Sequence, residues 1–322
     1  MDFRKIGLMI FGFAAFLLSA CAAQDEPSWK IGVVATTNIV GDVVAQIGGE
    51  HVELTVMLPV DADPHSFQPT PQDLVAVENA DIVFVNGLDL EEFLAEMVEN
   101  VGGEDNIVSV SEEVATIEFS GGHDDHEEGE EHDDHEEGEE HEEHEHSGAD
   151  PHVWMDPNNV KIWTDNIATA LSTSDPDNAA TYVANAEAYN LELDELDEWA
   201  QSELAQLASE NRVLVTDHEA LGYFAEHYGF EIIGTILPGS STLAEPSASE
   251  LAALEDLVVD FGVPAIFVGT TVNPNLAQRV ADDTGVQLVP LYTGSLSDAD
   301  GPAATYLEMM RYNVGAIVEA LQ

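Results

Sequence analysis

Twelve histidines lie in the 322-residue chain, and their spacing sorts them by the chemistry they can do. Three sit beside an acid in similar short settings: His65 in Asp63-Pro64-His65, His152 in Asp150-Pro151-His152, and His218 in Thr216-Asp217-His218-Glu219. Neutral imidazole is a nitrogen ligand suited to borderline metals such as Zn²⁺, and three of them brought together make a metal-binding centre. The same trio with an open position is also the layout of a catalytic zinc, in which bound water is the nucleophile and Glu219, beside His218 in sequence, is the candidate base. Proline fixes φ and biases its predecessor toward extended backbone, so Pro64 and Pro151 hold their loops ready for ligation. Asp63 and Asp150 have two readings that stay open: acceptors that orient an imidazole, or formers of the turn. His51 and His227, in Glu50-His51-Val52 and Glu226-His227-Tyr228, lack this setting and read as surface or internally satisfied side chains.

The other seven histidines, His123, His126, His132, His135, His141, His144 and His146, alternate with 15 carboxylates in a single stretch. HDDHEEGEE at 123–131 recurs unchanged at 132–140 and is followed by HEEHEH, which is low complexity and not a fold repeat. Without a large apolar residue the segment cannot offset the entropy of ordering, so a mobile loop over 121–147 is expected. Its many weak nitrogen and oxygen ligands favour a role as an accessory metal-capturing segment over that of a solubilising spacer. Neighbouring carboxylates favour protonated imidazole, so capture should weaken as pH falls.

The whole chain carries 64 acidic against 7 basic residues, a formal charge of −57. That excludes nucleic acid as a partner, since phosphate recognition draws on clustered Lys and Arg. A hydrophobic content of 44% is that of a packed protein, and the length suits about two domains. One cysteine, Cys21, permits no internal disulfide. It follows Arg4 and Lys5, an uncharged apolar run from Ile6 to Leu18, and Leu18-Ser19-Ala20, which reads as a signal peptide over 1–20. Leu-Ser-Ala-Cys resembles the bacterial lipobox, which implies lipidation of Cys21 and a tether over 21–29. Cleavage there removes Asp2, Arg4 and Lys5 and leaves 63 acids against 5 bases. Such acidity fits a salty habitat and a cation-attracting surface equally well.

To bring three distant histidines together the chain needs rigid elements with loops at one end. Short β-branched runs at Lys30–Thr37, Val52–Leu58, Asp81–Gly87 and Asn106–Ser111, then Arg212–Asp217, Phe230–Ile236, Ala265–Thr271 and Gln287–Tyr292, predict two sets of four buried parallel strands. Helices are expected between them at Ile39–Ile47, Pro71–Asn79, Glu91–Val101, Ser247–Phe261 and Pro274–Thr284. The fold class is therefore α/β, with two (β/α)4-type domains: residues 30–174 and 211–322. From Asp175-Pro176, read as an N-cap and first-turn proline, the chain runs without Gly or Pro to Arg212, with Tyr182, Ala186, Tyr189, Leu193, Leu196, Ala200, Glu203 and Leu207 in one stripe. A linker helix over 175–210, with about thirty helical residues spanning roughly 45 Å, should join the domains as a spine. His65, His152 and His218 all follow strands or precede helices, the positions from which α/β sheets bind ligands.

Nearly all of the chain after Cys21 resembles the solute-binding lipoproteins of bacterial ABC importers for zinc and manganese, of the cluster A-I type. The resemblance rests on Ile39-Val40-Gly41-Asp42, Asp63-Pro64-His65-Ser66-Phe67-Gln68-Pro69 with Asp73, the histidine-rich loop, and Asp150-Pro151-His152-Val153-Trp154-Met155-Asp156-Pro157. It continues through Asp217-His218-Glu219-Ala220 with Tyr223-Phe224 and through Tyr306-Leu307-Glu308-Met309-Met310-Arg311-Tyr312-Asn313. It implies a metal held in the cleft between two domains joined by a long helix, with His65, His152 and His218 as ligands. It also implies a membrane ABC permease as partner and an exported, lipid-anchored monomer facing the periplasm or cell exterior, with no enzymatic activity. Histidine at the third position resembles the zinc-binding branch, with Zn²⁺ as the transported ligand. Manganese relatives typically carry a carboxylate there. Gly294 stands where relatives place a late aspartate, so the fourth ligand is water, a nearby carboxylate or absent, and Asp298 and Asp300 are near in sequence; Gly269, where relatives often place Glu, is a family variation without an assigned effect.

Manganese or mixed-metal uptake is the principal alternative. A zinc hydrolase ranks below it, because the chain lacks a His-Glu-x-x-His helix and a nucleophile elbow. A surface adhesin ranks low, since no docking motif for a host partner is visible.

Overall fold

A computed structural model describes residues 30–91, 93, 106–117, 148–239 and 242–322. The expected signal peptide, Cys21, the tether, the seven loop histidines and most of the Glu91–Val101 helix lie outside the described residues.

The first half runs Ile31–Ala35 (β1), Asn38–Gly48 (α1), Val52–Val56 (β2), Pro71–Asn79 (α2), Ile82–Val85 (β3) and Ile107–Ser109 (β4). All strands pair parallel, in the order β2-β1-β3-β4. Two helices follow, Pro157–Ser174 (α3) and Ala179–Leu204 (α4). The second half runs Val213–Thr216 (β5), Gly222–Tyr228 (α5), Glu231–Thr235 (β6), Ala248–Phe261 (α6), Ala265–Gly269 (β7), Asn275–Thr284 (α7), Gln287–Leu291 (β8) and Tyr306–Leu321 (α8). Its parallel sheet has the equivalent order, β6-β5-β7-β8. The fold is thus two α/β domains with a four-stranded parallel sheet each, and every expected strand contains an observed one.

Local chemistry explains the elements. The inner strands β3 (IVFV) and β7 (AIFVG) are buried at every residue, as strands covered on both faces must be. Thr37 caps α1 by accepting from the Val40 N–H, and Ile39, Val40, Val43, Val44 and Ile47 form its buried face. Thr70 and Asp73 make a reciprocal capping box at α2, with Pro71 in its first turn.

The spine differs from its expected form in two respects. Asp175 does not start it: Asp175 ends α3, and its carboxylate accepts from the Asn178 amide at 2.7 Å and the Tyr182 hydroxyl at 2.7 Å, stapling a tight helix–helix corner. The Asp-Pro start signal belongs to α3 instead, where Asp156 caps Asn158 N–H ahead of Pro157. The stripe continues through Leu204 and not Glu203, in step with a regular α-helix, so the spine buries Tyr182, Ala186, Tyr189, Leu193, Leu196, Ala200 and Leu204. Its 26 residues span about 39 Å at ~1.5 Å each.

This helix packs against α1 and α3 of the first half and α8 of the second. The apolar side chains of all four belong to a single core that also takes in the inner faces of both sheets. Two smaller cores lie on the far faces, one under α2 and one under α6 and α7. Polar contacts tie the halves as well. The Trp154 indole donates to the Thr293 carbonyl at 2.9 Å, the Tyr306 hydroxyl donates to the Trp154 carbonyl at 2.8 Å, and the Tyr306 N–H donates to Asp42 at 2.8 Å. Asn38 donates to the Ser295 hydroxyl at 2.8 Å and accepts from the Leu296 N–H at 2.9 Å.

Candidate metal centre

His65 lies in the loop between β2 and α2. Its N–H donates to Asp63 Oδ1 at 3.0 Å, and Asp63 Oδ2 accepts from the Ser66 hydroxyl at 3.1 Å and from the Thr242 hydroxyl of the opposite domain. Asp63 therefore shapes its turn and links the domains, and leaves the His65 ring to itself.

His152 precedes a buried turn, Val153–Met155, at the start of α3. Asp150 Oδ1 accepts from both its N–H, at 2.9 Å, and its ring Nδ1, at 2.8 Å. Asp150 is itself fixed, its N–H donating to the Ile117 carbonyl and its carbonyl accepting from the Tyr223 hydroxyl. His218 follows β5, and Asp217 Oδ1 receives its N–H and its ring Nδ1, both at 2.8 Å, while Oδ2 accepts the Gly269 N–H at 2.7 Å. Both imidazoles are buried, at 1% and 3% exposure, whereas His65 is half-buried. A proton on Nδ1 shared with an aspartate leaves Nε2 with its lone pair, the tautomer that a metal requires.

The structure brings His65, His152 and His218 together. Their ring centroids stand 5.2 to 5.7 Å apart, and one nitrogen from each falls within 4.8 Å of the other two. His65 Nε2 and His152 Nε2 are 3.1 Å apart. Two nitrogens on one tetrahedral ion at ~2.0–2.1 Å stand roughly 3.3 Å apart, so the pair is already spaced for a shared cation. Burial and the two neighbouring imidazoles push the His65 pKa down to about 2. Burial also lowers that of His152, against the pull of Asp150. At His218 burial acts downward too, but Asp217 at contact, with Asp63 and Asp150 beyond, outweighs it and raises the pKa. His65 thus stays neutral well into acid, and burial biases His152 the same way.

Among the described residues, no other trio of His, Cys, Asp or Glu converges in this way. Asp298 and Asp300 are exposed and stand outside the cluster. Gly294 faces the His65 loop, with room for a Cβ only 3.1 Å from Pro64 Cδ, and a Cβ at Gly269 would run into the Thr293 hydroxyl. His51 packs edge-on against Tyr182, and His227 lies between Asp197 at 2.8 Å and Asp156 at 3.6 Å, so neither belongs to the cluster. The orienting role of Asp217 does not follow from the Asp-Pro-His spacing, which position 217 lacks. Its adjacency to His218 was the available signal.

A family model described as zinc-uptake complex component A, periplasmic, matches residues 33–320. The chain is 34% identical over 312 residues to the manganese-binding lipoprotein MntA of Halalkalibacterium halodurans, covering 95% of each chain. Among solved structures it is similar to the periplasmic zinc-binding protein TroA of Treponema pallidum, with a TM-score of 0.78 and 28% identity over 91% of this chain and 99% of that one. A manganese-bound periplasmic metal-binding protein of Candidatus Liberibacter asiaticus superposes with a TM-score of 0.76 and 29% identity, covering 91% and 100%.

Proposed function

The chain belongs to the zinc-uptake complex component A family, and on that premise we propose that it captures Zn²⁺ between its domains with His65, His152 and His218 and delivers it to a membrane ABC permease. At the coarser level it is the metal-binding, substrate-binding component of an ABC importer and not an enzyme. The observation that carries the zinc reading is the donor set. Three imidazoles converge without a carboxylate among the described residues, and nitrogen donors suit zinc where oxygen donors suit manganese. The zinc named for TroA agrees with this. Manganese, named for MntA and bound in the Liberibacter protein, is the second reading.

The remaining assignments complete the picture. Residues 1–20 are the signal peptide, Cys21 is the lipidated residue, and 21–29 tether residues 30–174, the 175–210 linker and 211–322 to the outer face of the membrane as a monomer. Among the described residues no helix is long and apolar enough to cross a membrane, in keeping with attachment by lipid. The histidines from His123 to His146 form a weak accessory site that gathers metal for the cleft.

The deciding experiment is metal analysis by mass spectrometry on protein lacking residues 1–20 and 121–147, loaded with equal zinc and manganese and washed with a mild chelator. One retained zinc, lost in His65→Ala and His218→Ala, supports the proposal. Retained manganese moves the cargo to the second reading, and no retained metal means either that the histidine-rich segment is the principal binder or that glycine at position 294 has disabled the cleft. Calorimetry on a 123–146 peptide tests that segment directly; absence of zinc heat at neutral pH removes its capture role.

A further inference from the structure

Behind His152 lies a buried carboxylate to which metal capture assigns no task. Glu91 is buried at the carboxyl ends of β1 and β3, where an ionisable side chain costs solvation unless it is fully satisfied. Its Oε1 accepts from the Thr36 hydroxyl at 2.6 Å and the Asn86 N–H at 2.7 Å, and its Oε2 accepts from the Gly87 N–H at 3.0 Å. The backbone it clamps is strained. Leu88 and Asp89, next along the chain, both have positive φ, 54° and 60°, a region that side-chain-bearing residues avoid. A buried carboxyl beside a strained turn persists only where the surroundings over-determine it, and such places cluster around functional sites.

What the clamp holds is Asn86. This residue is fully buried, and its side-chain amide donates to the Pro151 carbonyl at 3.0 Å and to the Gly87 carbonyl at 2.8 Å. The Pro151 carbonyl belongs to the peptide that leads into His152. A chain of short bonds therefore runs from Glu91 through Asn86 to the backbone of a candidate ligand, separate from the Asp150 carboxylate that holds the ring. Proline at 151 has no N–H of its own to anchor the loop, so the Asn86 amide supplies the missing anchor.

Resting on the metal-capture reading above, we infer that Glu91 and Asn86 are positioning residues for the metal site, fixing the Pro151–His152 peptide so that the imidazole meets His65 and His218 at coordination distance. Neither side chain touches the metal. Outer partners of ligating histidines commonly change affinity about 10- to 100-fold.

The test uses Co²⁺, whose ligand-field bands report coordination geometry directly, on the chain lacking residues 1–20. Glu91→Gln and Asn86→Asp preserve shape while removing, respectively, the acceptor for the Gly87 N–H and the donor to Pro151. Phe84→Leu, in the core of β3, is the control for lost stability alone, and His152→Ala is the control for the site. Expected are a roughly tenfold or greater loss of Co²⁺ affinity and altered bands in Glu91→Gln and Asn86→Asp, with a lowered melting temperature but wild-type bands in Phe84→Leu. Wild-type bands and affinity in both positioning variants, with His152→Ala altered, overturn the inference. Wild-type bands in His152→Ala as well would overturn the metal site itself. If Glu91→Gln and Asn86→Asp fail to fold, Thr36→Val, which removes one donor to Glu91, takes their place under the same criteria.

Discussion

The tripeptide Asp-Pro-His occurs at 63–65 and again at 150–152, and the fold uses its aspartate in two different ways. Asp150 turns inward and takes both the N–H and the ring Nδ1 of His152, so that this imidazole is buried and set in one tautomer. Asp63 takes only the N–H of His65 and spends its other oxygen on Ser66 and Thr242, leaving the ring half-buried and, among the described residues, bonded to no carboxylate. Asp217, without a proline, treats His218 as Asp150 treats His152. The cluster therefore has two fixed rings and one that is free to adjust. Identical local sequence does not determine which; the neighbours reached by the aspartate do.

The largest test of this contrast is the loss of a fixed ring. His152→Ala or His218→Ala should weaken zinc binding by more than the 10- to 100-fold typical of outer partners, read by competition with a chelator of known affinity. Next, Asp150→Asn should cost about 10- to 100-fold, while Asp63→Asn should cost less than about tenfold. Equal losses at the two aspartates would dissolve the distinction between them.

A third test exploits acid. The His65 pKa is about 2 in the fold against an ordinary value near 6.5, so the folded state binds fewer protons than the unfolded one. The stability it contributes is fully present above pH ~6.5 and is lost as pH falls toward 2. In metal-free protein, His65→Asn should accordingly blunt the fall in melting temperature between pH 7 and pH 4.5. The raised pKa of His218 has the opposite sign, with its contribution lost as pH rises through the folded value. The smallest effect is expected at Thr242→Val, which cuts the interdomain bond to Asp63 and should speed zinc release a few-fold in stopped-flow chelation, with little change at equilibrium.

Much of this is legible in the amino-acid sequence. The eight strands announce themselves because buried parallel strands are short β-branched runs, and the three histidines because their loops repeat an acid at close range. Less legible were α3 and α8, although Val160, Trp163, Thr164, Ile167 and Leu171 of α3 recur at helical spacing. The corner at 175–178 misled because Asp-Pro is a helix start only when the chain ahead of it is extended, and here it follows directly on a helix. Contacts such as Asn86 to Pro151, 65 residues apart, or Asn38 to Leu296, 258 apart, leave no local mark at all.

The core that runs through α1, the spine helix and α8 makes the two sheets thermodynamically inseparable. Neither half has a complete inner layer of its own, so severing the chain near Ala205 would strand apolar faces on both pieces instead of yielding two autonomous folding units. Heat should therefore melt the metal-free protein in one cooperative step, with calorimetric and van't Hoff enthalpies in agreement.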